Sequence, residues 1–412
     1  MPESAEPSHW RRNMYVCLFG SFTTILAMTL LLPFLPIYVE QLGVHSHAAI
    51  VQWSGIAFGI TFLGAGTMAP IWGRVADIYG RKVLLVRASL AMAVTMSLIG
   101  LAQNIWQLVA LRLMAGVLGG YSSGAVVLVA TQTPRHRAAW ALGTLSTGVM
   151  AGTLLGPLVG GILPGFIGVR ATFFLAGAVI FVAFLATVFL LHEERPPGPR
   201  HGRRAGPVWS AIPDRRPIYA MLATALLLMV ANMSIEPILT VYVAQLMNGG
   251  DPGGDVVLVS GVVMAASAVG SMIAAPRLGR LADRLGTWNL ITACLLTTGA
   301  VVLPQAFVGS AWQLIALRFL MGISLAGLLP SINATIRHNV PETVAGSILG
   351  YSTSAQMMGQ VIGPLAGGFV GGRVGMSAVF LATSAILFCG AGYNWVVSRR
   401  VEHAAIVGAA SE

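Results

Sequence analysis

Charge is what this sequence has least of. Only 9% of its 412 residues are Asp, Glu, Lys or Arg, against about 25% in an ordinary water-soluble domain. With 56% hydrophobic residues and a mean hydropathy of +0.79, the chain lacks the polar surface a soluble globule needs. Lysine is nearly missing: 23 of the 24 cations are Arg, a bias that suits a GC-rich bacterial genome. Cysteine is scarce as well. Cys17, Cys294 and Cys389 all fall in apolar runs and read as small buried hydrophobes, not as a disulfide framework. The eight histidines lie in connections or at helix ends, and none forms a His-Glu-x2-His or Cys-His metal pattern. There is no Gly-x4-Gly-Lys phosphate loop. An enzyme, a metal centre, a cofactor and ATP as an energy source are therefore not expected.

What the chain does have is long apolar runs. A spanning helix needs about 20 mostly apolar residues. Twelve stretches qualify, at approximately 14–39, 50–72, 83–102, 105–130, 139–163, 171–191, 218–243, 257–276, 288–308, 311–333, 345–369 and 376–397. The first is too long for a signal-peptide core and is not followed by a small-residue cleavage site. The polar stretch 192–217, rich in Pro, Gly and Arg, reads as a cytoplasmic linker. It divides the chain into a six-helix bundle at 1–191 and a second at 218–412. The fold class expected is an all-α membrane protein of twelve spans.

The cations give the orientation. Twenty of the 24 lie in alternate connections that include both termini, and only Arg170 and Arg373 lie in the opposite ones. Both termini are then cytoplasmic. The net charge of +10 reads as topology and contact with anionic lipid. The basic residues are dispersed over many short loops, which argues against nucleic acid as a partner. The remaining two, Arg112 and Arg318, lie inside apolar runs. An Arg in mid-span costs at least about 2.5–3.5 kcal/mol, so Arg112 is expected to face the bundle interior and find a partner there.

Four local patterns stand out. The first span carries Pro33 and Pro36, which break backbone hydrogen bonds and bend a helix. Glu40 follows at the outer water. Between the second and third runs lies Gly73-Arg-Val-Ala-Asp77-Ile-Tyr-Gly80-Arg81-Lys82, read as a loop with a helix-ending glycine, a lone carboxylate, a turn glycine and two cations. The fifth span has Gly148, Gly152 and Gly156-Pro157 followed by Gly160-Gly161. Glycines four apart share one helix face and let a second backbone come close. The fourth pattern is repetition. Trp106-Gln-Leu-Val-Ala-Leu-Arg112 returns as Trp312-Gln-Leu-Ile-Ala-Leu-Arg318, and Gly73–Gly80 returns as Gly279-Arg-Leu-Ala-Asp283-Arg-Leu-Gly286. Gly152, Gly156-Pro157 and Gly160-Gly161 return as Gly359, Gly363-Pro364 and Gly367-Gly368. An offset of 204–207 residues over six spans preserves orientation. This is a parallel repeat, in which a substrate site is expected between the halves near the midplane.

On these residues the chain resembles the drug:proton antiporters of the major facilitator superfamily, over nearly its whole length. The first-span prolines, the Gly73–Lys82 segment, Arg112 with Gly116, and the Gly156-Pro157 motif match the family's patterns in order. Phrases such as Pro36-Ile-Tyr-Val-Glu-Gln-Leu-Gly43 and Gly100-Leu-Ala-Gln-Asn-Ile-Trp-Gln107 are similar to those of its multidrug exporters. The resemblance implies efflux by alternating access, driven by the proton motive force. It implies a monomer in a bacterial inner membrane, taking small amphipathic drug-like molecules and protons as partners. It assigns Gly73, Asp77, Gly80, Arg81 and Asp283 to a conformational gate and Arg112 to proton coupling. Gly148, Gly152, Gly156 and Pro157 become the antiporter motif.

An antiporter needs a group that takes up and releases a proton. Of the fourteen acids only Glu236, in Asn232-Met-Ser-Ile-Glu236-Pro237, lies well inside an apolar run. Desolvation favours the protonated form of a carboxyl, as a proton carrier requires. The same position also suits a contact to cationic substrates, or a structural carboxylate near the outer water. Many relatives carry their membrane acid in the first span; the repeat partner here is Leu32. By depth, Phe34, Tyr121, Met150, Asn232, Glu236, Met264, Gln356, Met357 and Gln360 are candidates to contact substrate. Two alternatives stand beside efflux of drugs: export of a sugar or metabolite by the same fold, and a scaffold without transport.

Overall fold

The computed structural model describes residues 9–193, 208–212, 214–247 and 255–410. Most of the expected linker, at 194–207, lies outside the described residues. All regular structure within them is helical. Sixteen α-helices follow one another: α1 (Trp10–Leu30), α2 (Leu35–Gln41), α3 (His47–Tyr79), α4 (Arg81–Gly100), α5 (Ile105–Leu118), α6 (Tyr121–Gln132), α7 (Ala138–Ile167), α8 (Val169–Leu190), α9 (Arg216–Ile235), α10 (Leu239–Leu246), α11 (Asp255–Leu285), α12 (Thr287–Gln305), α13 (Ala311–Leu325), α14 (Leu328–His338), α15 (Glu342–Arg373) and α16 (Met376–Ala410).

Four adjacent pairs form single broken spans, which reduces the sixteen helices to twelve crossings. Eleven of these are long and apolar enough to traverse a bilayer. The twelfth, α15, is 32 residues long and falls short on apolarity because it carries Gln356, Gln360 and eight glycines. The chain is thus a multi-pass membrane protein.

The breaks have local causes. Pro33 and Pro36 end α1, and the chain makes a 3-10 turn at Leu32–Phe34 before α2. Pro237 does the same between α9 and α10, through a turn at Glu236–Ile238. The segment read as a loop at Gly73–Lys82 is almost wholly helical. α3 runs on to Tyr79 and α4 starts at Arg81, so Gly80 alone makes the turn, at φ +96°. Gly73 therefore sits inside a helix and does not end one. Its composition reads as a turn, yet a helix leaving a membrane continues in water wherever its residues permit. Gly286 repeats the one-residue turn at φ +82°.

Two compact units result. Unit 1 holds α1, α2, α3 from Ile56 onward, α4–α8, and α11 as far as Ala265. Unit 2 holds the first turns of α3 up to Gly55, α9, α10, the remainder of α11 and α12–α16. The repeat appears in each unit as the same contacts. Tyr38 donates to the Ile99 carbonyl in unit 1, as Tyr242 does to that of Gln305 in unit 2. Tyr38 packs on Phe173 and Tyr242 on Phe380, at 5.2 and 5.0 Å between ring centres.

The glycine stripes do what their spacing predicts. A methyl on Gly148 would meet Leu18, and on Gly152 the Phe22 carbonyl; on Gly156 it would strike Thr29, and on Gly160 the Leu30 carbonyl. In unit 2, Gly359, Gly363 and Gly367 lie equally close to α9. Backbone-to-backbone approach of this kind gathers dispersion contacts and lets Thr29 Oγ1 donate to the Gly152 carbonyl at 3.2 Å. Cys17 and Cys294 are buried as expected, whereas Cys389 is exposed, because the apolar face of α16 that carries it points outward.

Candidate functional site

Two arginines lie in the apolar interior, one per unit, and neither is exposed at all. Arg318 stands on α13 and donates from Nη2 to Glu236 Oε1 at 2.9 Å. Glu236 sits at the Pro237 break, its side chain only 15% exposed. Arg318 also approaches Met321 Sδ at 3.7 Å. The depth of Glu236 was legible in the sequence, but its partner was missed. The signal existed: two opposite charges isolated in the spans of one half are each too costly alone and must meet.

Arg112 on α5, the counterpart of Arg318, finds no carboxylate among the described residues. Its Nε donates to the Ala57 carbonyl of α3 at 3.1 Å, and its guanidinium lies 5.9 Å from the Phe58 ring centre. Nη1 and Nη2 are buried without hydrogen-bond partners among the described residues. The expected interior position holds; the partner is a backbone carbonyl and not an acid. One turn further, Gly116 lets α5 close onto the Thr61 carbonyl of α3, as Gly322 lets α13 close onto Ser267.

The residues expected to form a gate divide. Asp77, 63% exposed, pairs with Arg81 one turn on. It does not cap the helix that follows. Glu193 performs that task, its two oxygens accepting the Arg81 and Lys82 backbone N–H groups at 2.8 Å each. A carboxylate at a helix N-terminus satisfies orphan donors and meets the positive end of the helix dipole. Sequence reasoning missed this contact, which joins residues 112 positions apart. In unit 2 Asp283 is exposed, with no ion-pair partner among the described residues.

The expected substrate contacts belong to both units. Phe34 is fully buried and packs edge-on against Phe173 at 5.4 Å. Tyr121 is buried, its hydroxyl 2.9 Å from Thr187 Oγ1. Met264 is buried and Met150 exposed. Asn232, Gln356, Met357 and Gln360 are half-buried. Gln356 leans on Ser352 at 3.4 Å and Gln360 on Met229 Sδ at 3.8 Å.

The broken fourth span holds a further device. Between α5 and α6 the chain turns at Gly119 and at left-handed Gly120, φ +101°. Two carbonyls released there are taken up by side chains. Trp72 Nε1 donates to Val117 at 2.7 Å and Arg87 Nη2 to Gly119 at 2.9 Å. The Arg87 guanidinium lies 3.4 Å above the Trp72 ring centre, a cation–π stack. Neither residue was singled out from sequence.

Comparison with known proteins agrees with this architecture. The Major Facilitator Superfamily profile matches residues 17–308 and 256–411. The multidrug resistance protein MdtG of Dickeya zeae is 41% identical over 409 residues, covering 99% of this chain and 100% of the relative. MdtG of Salmonella typhimurium is 41% identical over 401 residues, covering 97% and 98%. Among solved structures, a bacterial homolog of the human lysosomal transporter Spinster superposes with a TM-score of 0.77 at 15% identity, over 95% of this chain and 98% of that one. The nucleoside transporter NupG gives 0.73 at 14% identity, over 93% and 98%. These last two share the fold alone. The expected superfamily, and its multidrug-exporter branch, are borne out. A twice-repeated bundle of broken, glycine-stitched spans, with one buried Arg in each repeat, places this chain in the Major Facilitator Superfamily.

Proposed function

We propose that the protein is a multidrug efflux transporter that exchanges an amphipathic drug for a proton, with Glu236 as the proton carrier and Arg318 as its counter-charge. One observation carries the coupling step: the Arg318–Glu236 ion pair at 2.9 Å inside the spans of unit 2. Similarity to the MdtG proteins over almost the full length supports the substrate class. An ionised Glu236 holds the guanidinium and keeps the turn at Glu236–Ile238 tethered to α13. A proton arriving from outside neutralises the carboxyl and weakens that tether, so the turn and α10 are free to repack. Loss of the proton to the cytoplasm restores the pair. Arg112 supplies a fixed positive charge at the matching depth of unit 1.

The same proposal takes residues 1–191 and 218–412 as the two moving bundles and 192–217 as their tether. It sets both termini in the cytoplasm of a bacterial inner membrane, with the protein acting as a monomer among lipids. The Asp77–Arg81 pair and Asp283 belong to the cytoplasmic gate, and Gly148–Pro157 to the helix whose bend accompanies antiport. Asn232, Gln356 and Gln360 are the polar candidates for substrate contact.

The test is Glu236→Gln, assayed for drug accumulation in cells with and without a protonophore. Wild-type cells should accumulate drug only when the protonophore is present. The variant should reach the membrane in equal amount and accumulate drug in both conditions. Full resistance in the variant removes Glu236 from the coupling step. A wild type that shifts susceptibility to no compound in a broad panel points to a sugar or metabolite as cargo.

A further inference from the structure

Beside the α5–α6 break, unit 1 lines a half-open cavity of about 130 Å³. Its walls are Ile25 and Met28 of α1, Ala65 of α3, Ala88 and Met92 of α4, and the end of α5 from Ala115. Almost all of this surface is carbon. Of the four polar side chains at the wall, Thr24, Tyr121, Ser122 and Ser123, three are already engaged. Thr24 donates to the Gly20 carbonyl at 2.7 Å, Tyr121 meets Thr187 at 2.9 Å, and Ser123 donates to Gly120 at 3.0 Å. Apolar space on the order of 150 Å³ is enough to take up a benzene ring.

The cavity exists because span 4 is broken. An unbroken helix would carry side chains through the space that Gly119 and Gly120 leave free, and a methyl on Gly119 would come within 2.7 Å of the Ala115 carbonyl. Trp72 and Arg87 hold the break open by occupying its freed carbonyls. Methionine side chains adapt their shape to an occupant. Met28 and Met92 stand on either side, and Met92 is itself buried.

We infer that this cavity is a binding subsite for a benzene-sized aromatic ring, and that the ring belongs to the exported molecule. The inference deepens the efflux reading and rests on it for the source of the ring. The subsite selects by apolarity, as a transporter of chemically diverse cargo requires.

The probe is a phenyl diazirine, photolysed with the full-length protein in lipid nanodiscs, and the adducts are mapped by mass spectrometry. Adducts should fall on Met28, Met92 and Tyr121, and should drop at least fivefold in Ala88→Leu, which fills the cavity. Ala115→Leu, which fills it from another helix, should act alike if Ala88→Leu misfolds. Two outcomes overturn the subsite: labelling unaffected by either filling variant, or equal labelling of the same residues by an acyl-chain diazirine, which would make the void a lipid or detergent pocket. In cells the filling variants should lower resistance to ring-bearing compounds at least fourfold while sparing a ring-free compound that the wild type exports. Loss of adducts with unchanged resistance overturns the link to cargo. Adducts in a protein that exports nothing would instead sink the efflux reading and leave the ring site standing.

Discussion

Arg318 and Glu236 meet at 2.9 Å in the interior of unit 2, while Leu32, the repeat counterpart of Glu236, gives Arg112 no such partner. Removing one member of a buried pair strands the other and costs about 3–5 kcal/mol. Glu236→Ala and Arg318→Ala should each lower the thermal unfolding midpoint sharply. The double variant should recover part of the loss, since no unpaired charge remains. Fluorescence-monitored melting in detergent would measure this; strictly additive losses would mean the pair is not coupled.

Leu32 offers the converse experiment. The repeat places a glutamate at this position opposite the Arg112 depth, so Leu32→Glu should be tolerated in expression and melting temperature. Leu31→Glu, also fully buried but one residue out of register, should be degraded or trapped. Equal loss of both proteins would show that unit 1 cannot reproduce the pairing of unit 2.

The glycine contacts predict a split between similar substitutions. Gly160→Ala and Gly367→Ala drive a methyl into the backbone of α1 and α9. Such overpacking costs typically about 1–3 kcal/mol and more where backbone must move. Gly143→Ala meets nothing within 4 Å and should gain up to about 1 kcal/mol from helix propensity. Side-by-side melting of the three variants decides it, and a stable Gly160→Ala would contradict the packing described.

Glu193 anchors the start of α4. Glu193→Ala leaves two N–H groups and the helix dipole without a partner, a loss of about 1–2 kcal/mol. Glu193→Gln should retain about half of that. Hydrogen exchange should quicken at Arg81 and Lys82 and leave α8 unchanged. Protection equal to wild type at those two amides would assign the cap elsewhere.

Removing the stack over the span 4 break should act locally. Arg87→Ala frees the Gly119 carbonyl and the face of Trp72, so exchange should rise across residues 117–124 while the rest of α5, around Arg112, stays protected. Uniform deprotection of unit 1 would show instead that Arg87 supports the whole bundle.

The fold was legible because its two strongest signals, apolar runs and a repeat at a fixed offset, are properties of sequence alone. Gly160 and Gly367 were found in register before any contact was known, and both lie against a carbonyl of the neighbouring helix. What stayed hidden depends on how far a helix runs or on which distant groups meet. The Gly73–Tyr79 stretch carries Arg, Asp and Gly, and composition cannot tell a turn from a helix continuing into water. Glu193 reads as one acid in a polar tail until α8 delivers it to the first turn of α4. Trp72 and Arg87 look like an interfacial aromatic and a topology charge, and only the break they bridge gives them a joint task. Depth in a span does not say which face is turned to the core, and so the burial of Phe34 against Phe173 was not legible in the sequence.

Of the fourteen acids, Glu236 alone lies well inside an apolar run, and that fixes a thermodynamic ceiling. Under the proposed exchange, one proton per cycle supplies about 2.3 kcal/mol for each 100 mV of membrane potential. That is enough to hold an uncharged cargo at about a 50-fold concentration difference. A unit of pH difference multiplies the ratio by about ten. A monovalent cation leaving against one proton entering moves no net charge, so for such cargo the voltage drops out and the pH difference alone sets the limit. The lone acid thus predicts different energetics for neutral and cationic cargo through one and the same protein.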